Sequence, residues 1–162
     1  MRLFVIFFLS VSTCCFSQEL KELRADYPKA NSDEVITNTL HEKLSSFSNE
    51  ENKTVVAYKG AVATLKAKFA KGLKNKKTYF KKGAELLEFA VSSNPNNIEI
   101  RCLRLGVQEN SPRIVGYKNN MDEDKQFLLD HYKSTSDKEV QNFVKGYILL
   151  SDLFTDAEKQ LF

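Results

Sequence analysis

Tryptophan is absent from this chain, and proline occurs only three times and glycine six times in 162 residues. Few breakers and scarce period-two alternation leave little room for the strand-and-turn punctuation of an all-β domain. No linker or low-complexity segment divides the chain. The main apolar run, Leu3 to Leu9, falls well short of the ~20 residues that a membrane-spanning helix requires. Of three cysteines, Cys14 and Cys15 lie near the N-terminus, and Cys102 stands alone in the rest. A thiol nucleophile would need a nearby histidine, and only His41 and His131 exist. No paired-carboxylate motif, nucleophile elbow, phosphate loop or zinc spacing occurs. The formal net charge of +3 predicts no nucleic-acid partner by itself.

What is present begins with an N-terminal signal. Arg2 precedes the apolar run, and small side chains at Cys15 and Ser17 stand before a polar boundary at Gln18. The pattern is that of a secretory signal peptide, residues 1–17, cut near Ser17. It predicts an exported, periplasmic or secreted protein with one domain over residues 18–162. Val11-Ser12-Thr13-Cys14 also resembles a bacterial lipobox. That alternative makes Cys14 a lipid anchor. With the signal removed, Cys102 has no internal disulfide partner, and its apolar helical context predicts a buried, inert thiol.

The remainder reads as a succession of helices. Leu20, Leu23 and Tyr27 share a face of a first helix ended by Pro28 and Asn31. Ser32 is the expected cap of a second, whose stripe is Ile36, Leu40, Leu44 and Phe47. Ser48 to Glu51 forms a capping box before Val55, Tyr58, Val62, Leu65 and Phe69. Gly72 stops that helix, and the next carries Tyr79, Phe80, Gly83, Leu86, Leu87, Ala90 and Val91 inward before Asn94-Pro95. Residues 49–93 thus form a helical hairpin. Ile98, Cys102 and Leu105 mark another helix, widened by Leu103 and Val107. A loop holding Ile114, Val115 and Tyr117 follows, and Asn120 caps the next helix. Ser136–Glu139 and Thr155–Glu158 are further capping boxes. The fold class is therefore all-α, a bundle of antiparallel helical hairpins.

Tyr79-Phe80, Gly83-Ala84, Leu87, Ala90 and Asn94-Pro95 resemble the second helix of a tetratricopeptide unit, although the preceding helix does not match and no such period runs along the chain. The resemblance implies helix-pair packing without a full superhelix. Asn96-Asn97, Glu99, Arg101, Arg104, Gln108, Pro112, Gly116-Tyr117 and Asp124-Lys125 are similar to uncharacterised exported helical proteins of Bacteroidetes. That similarity implies location and fold, with no activity attached.

Three clusters are candidate sites. Ten lysines and no acidic residue or arginine occur from Lys53 through Lys82. Lys66, Lys68, Lys71, Lys74, Lys76, Lys77, Lys81 and Lys82 gather around the hairpin turn and create positive potential. They suit anionic lipid headgroups or an envelope polyanion. Lysine without arginine does not suit shaped phosphate recognition. The alternative is a solvated face partly paired with Glu85, Glu88 or Asp122–Asp124. Next, Arg101, Arg104 and Gln108 share a helical face and, with Tyr117 and Asn120, make a small polar groove for an acidic ligand or partner peptide. The alternative is that they pair with carboxylates of the adjoining helix and fix the packing. Last, Asp122, Glu123, Asp124, Asp130 and His131 offer metal-ligand chemistry, but carboxylates also belong in a helix's first turn. No metal or other cofactor is expected. The expectation is a non-catalytic envelope protein that engages a protein partner, with peripheral binding of anionic surfaces as the alternative, and no nucleic acid.

Overall fold

The computed structural model describes residues 18–50 and 52–162. The signal segment, its cut near Ser17, the lipid site at Cys14 and the Glu51 half of a capping box lie outside the described residues. All regular structure within them is helical. The elements are α1 (18–30), α2 (Glu34–Ser45), α3 (Lys53–Phe69), α4 (Leu73–Ser93), α5 (Ile98–Asn110), a 3-10 turn (Arg113–Val115), α6 (Met121–His131), α7 (Lys138–Leu150) and α8 (Asp156–Lys159). Among the described residues, no helix is long and apolar enough to cross a membrane.

Local chemistry sets most of the helix ends. The Asp33 carboxylate accepts from the amides of Val35 (2.8 Å) and Ile36 (3.0 Å), so it caps α2 in place of Ser32, whose hydroxyl turns back to the Lys29 carbonyl. Asp137 likewise replaces Ser136 at α7, accepting from Glu139 and Val140. A carboxylate accepts two charge-assisted bonds where a hydroxyl accepts a weaker one. Asn52 caps α3 through the Thr54 amide. Thr155 and Glu158 complete the capping box of α8 reciprocally. α1 runs past Pro28 because its end is held from outside: Ala30 is fully buried, and its carbonyl accepts the Thr37 hydroxyl at 2.7 Å.

α3 lies between α2, α4 and α5. It therefore buries Val55, Val56, Ala57, Tyr58, Ala61 and Val62 around its circumference instead of one stripe. Its hairpin with α4 is unusually close at one point. A Cβ on Gly60 would stand 2.7 Å from the Gly83 carbonyl oxygen, and one on Gly83 would stand 2.6 Å from that of Gly60. Gly72 turns the chain between the two helices at a φ of 80°, in the left-handed region that favours glycine.

α5 carries two apolar stripes. Ile100, Leu103 and Val107 enter a core shared with α1 to α4, while Ile98, Cys102 and Leu105 enter a second core with Leu128, Val144, Ile148 and Phe154. Each fully buried aliphatic side chain of this kind contributes about 1.5–3 kcal/mol.

The glycine contact makes a direct prediction. Gly60→Ala and Gly83→Ala each lose about 1–3 kcal/mol in urea denaturation, because the obstructing atoms are backbone and cannot yield. Gly146→Ala, in helix α7 with nothing within 4 Å of the added Cβ, gains about 0.5–1 kcal/mol.

Candidate functional site

Arg101, Arg104 and Gln108 do share one face of α5, but that face is interior: they are 9%, 3% and 0% exposed. Arg104 grips Asp124 of α6 with two parallel bonds of 2.7 Å and donates to Glu88 of α4 at 2.9 Å. Arg101 donates to Asp124 at 2.8 Å, to Glu123, and to the Pro95 carbonyl at 2.9 Å. Its guanidinium also lies over the Phe127 ring. The Tyr117 hydroxyl donates to Glu88 at 2.6 Å. The expected open polar groove is therefore not formed. Burial forces each guanidinium to find a carboxylate within the fold, so Arg101 and Arg104 fix helix packing. Burial pulls the Arg104 guanidinium down, but Asp124 and Glu88 more than offset this and hold it above its ordinary value. Gln108 is fully buried, and neither its Oε1 nor its Nε2 has a hydrogen-bond partner among the described residues.

Two further polar networks radiate from α5. Glu99 is 2% exposed and accepts from Arg24 of α1 through two bonds of 2.8 Å, and from the Tyr58 hydroxyl of α3 at 2.9 Å. Glu109 accepts from the Tyr147 and Ser151 hydroxyls and the Asp152 amide. Cys102 is buried, and burial, followed by the nearby Glu99, Asp124 and Glu109, pushes its thiol well up. The thiol is thus held protonated, the opposite of an activated nucleophile. Asp124, part of the acidic run, is consumed by two arginines, and among the described residues no three His, Cys, Asp or Glu side chains converge as a metal site.

A concavity does exist, elsewhere. α1, the α3–α4 hairpin, α5, α7 and the loop around Ile114 enclose an open groove of about 2110 Å³. Its apolar lining includes Leu65, Phe80, Leu103, Val107 and Phe143. Along it stand Leu73 (86% exposed), Ile114 (94%) and Leu150 (85%), with Val115 beside Ile114. Of the five residues expected to form a groove, only Tyr117 lines this one, packed edge-on to Phe80 at 5.9 Å between ring centroids. The periodic stripes could not show it. Its signal was apolar residues that serve no helix stripe: Leu73 beside Gly72, and Ile114 with Val115 in a loop.

The structure divides the lysine cluster. Lys68, Lys76, Lys77 and Lys81 line the groove. Lys71 and Lys74 are exposed. Lys66 is half-buried and donates to Asn38, and Lys82 lies with Lys59 and His41 around a separate small cavity of about 80 Å³. Lys81 pairs weakly with Glu85 at 3.7 Å. Among the described residues, Lys71, Lys74, Lys76 and Lys77 have no acidic partner. Burial, then Lys66, Lys82 and Lys59, lower the His41 pKa.

Loss of the Asp124 charge leaves the two buried guanidiniums only the half-exposed Glu88 and Glu123 as ionic partners, so Asp124→Asn is expected to cost about 3 kcal/mol in urea denaturation. Gln108→Met removes two unanswered polar atoms and is expected to be neutral or stabilising by the same measurement.

His41 has a depressed folded-state pKa, so the unfolded chain takes up its proton first as the solution is acidified. The stabilising contribution is complete above the ordinary imidazole value of about 6.5 and is lost progressively below it. His41→Asn is accordingly expected to flatten the fall in Tm between about pH 7.5 and about pH 5.5.

No protein-family model, curated protein or solved structure matches this chain, and its functional reading rests on the geometry above.

Proposed function

We propose that this is a non-catalytic interaction protein of the cell envelope, exported by its N-terminal segment, that holds part of a protein partner in the groove lined by Leu65, Phe80 and Phe143. The groove carries this reading. Its volume of about 2110 Å³ is roughly twice the upper end of small-molecule pockets, about 1,000 Å³. Exposed leucine and isoleucine side chains along such a groove mark an interaction surface more often than a solvated one. The buried, protonated Cys102 supplies no nucleophile. Helix-pair packing of the kind implied by the tetratricopeptide-like segment 79–95 favours concave binding faces of this sort.

One observation favours a second reading, peripheral binding to anionic envelope surfaces through the Lys66–Lys82 cluster. Lys71, Lys74, Lys76 and Lys77 are exposed with no acidic partner among the described residues, and each lysine near a charged membrane adds about 1 kcal/mol.

A photo-crosslinking amino acid placed at Ile114 or Leu73 separates these readings in the intact envelope. One discrete protein adduct is expected from both positions, and none from Val35, which is 73% exposed outside the groove. Equal labelling from Val35, or lipid adducts alone, would count against the groove.

A further inference from the structure

The groove's charge and backbone chemistry narrow its occupant. Five acidic residues line it: Glu85, Glu88, Glu109, Glu139 and Asp152. Four of them are answered within the fold. Glu88 takes Arg104 and Tyr117, Glu109 takes Tyr147 and Ser151, Glu139 takes Arg24 and Lys21, and Glu85 takes Lys81. Asp152 and Glu109 lack a cation among the described residues, although the Glu109 carboxylate is hydrogen-bonded by neutral groups.

The lysines are not answered in the same way. Lys76 and Lys77 have no acidic partner among the described residues, and Lys68 donates only to Asn31, through its carbonyl and side-chain oxygens. Three cations without an acidic partner, Lys68, Lys76 and Lys77, therefore line the groove against two carboxylates without a cation, Glu109 and Asp152, and the three lie along the wall that carries Leu73 and Phe80. A like-charged occupant would meet repulsion there, and an acidic one attraction, which governs both partner choice and encounter rate.

Backbone chemistry sets the occupant's form. The walls are helices whose amides and carbonyls bond internally, and the described residues hold no strand whose edge could pair with an extended peptide. A segment lying on this apolar floor must satisfy its own backbone hydrogen bonds, and a helix does so.

We infer that the groove receives an acidic amphipathic helix of the partner protein. Its apolar face lies on the part-exposed Leu65, Phe80 and Phe143 and meets the exposed Leu73, Ile114 and Leu150, and its Asp and Glu side chains face Lys68, Lys76 and Lys77. This rests on the groove being the interaction site.

The test is selection of a random-peptide library against the intact chain, followed by binding of the enriched, fluorescently labelled peptides. The expected peptides carry Asp or Glu beside Leu, Ile or Phe at helical spacing. Their Kd is expected to rise about tenfold for the Lys68→Glu, Lys76→Glu, Lys77→Glu triple variant, to rise with salt, and to rise also for Ile114→Ser with Leu150→Ser. All of these substitutions are at exposed positions, so the fold is retained. Neutral or basic peptides that still need Ile114 and Leu150 overturn the acidic assignment and leave the groove reading standing. Enrichment of no peptide overturns both. Acidic peptides indifferent to Ile114 and Leu150 reduce the lysines to a bare electrostatic surface and overturn the proposal. So does tighter binding of phosphatidylglycerol vesicles that the Ile114→Ser, Leu150→Ser variant leaves unchanged.

Discussion

The two parallel hydrogen bonds between Arg104 and the fully buried Asp124 are the constraint around which this fold is arranged. Taking either charge out of water alone is prohibitive, so α5 and α6 must meet face to face, in register, before either side chain is tolerable inside. Arg101 shares Asp124 and draws in the Pro95 carbonyl, and Glu88 completes the coordination of Arg104 from α4. On another face of α5, Glu99 does the same for α1 and α3 through Arg24 and Tyr58. Such groups need not raise stability over an apolar replacement. What they impose is a single way for the helices to fit.

The second constraint is steric. Gly60 and Gly83 let the backbones of α3 and α4 touch near the middle of both helices. α4 has 21 residues and spans about 32 Å at 1.5 Å per residue. Residues 71–78 are all exposed, so the arm leading up to Gly83 stands clear of the core. That projecting arm is the lysine-bearing wall of the groove. The close contact and the lysine-bearing arm are thus two parts of one helix, the first holding the second out into solvent.

Much of the fold was legible because it rests on local rules. Leu40 and Leu44, Leu87 and Val91, and Val144 and Ile148 recur at helical spacing and are buried. The Thr155 capping box forms as read. Two of the cap differences share a cause: at both Ser32-Asp33 and Ser136-Asp137 the charged neighbour wins the amides, while α3 simply starts later than expected and is capped by Asn52 instead of Ser48. The lysine cluster could be counted but not divided, because which lysines line a cavity depends on helices far along the chain. The polar face of α5 was visible, but its orientation was not. Arg101 and Arg104 look alike on a wet surface and in a buried triad until Asp124, 23 and 20 residues away, is placed beside them. Arg24, whose partner Glu99 lies 75 residues on, carried no local signal at all.

The double stripe of α5 has an evolutionary consequence. In a repeat protein each unit contacts only its neighbours, so units can be gained or lost without disturbing the rest. Here Ile100 and Leu103 belong to one core while Ile98 and Cys102, on the same helix, belong to the other. Deleting either half would bare one stripe of α5, and deleting the C-terminal half would also leave Arg101 and Arg104 without Asp124. The two halves of the described fold therefore depend on one shared helix, and the places where substitution disturbs neither core are exposed ones such as the projecting arm of α4 and the side chain of Ile114.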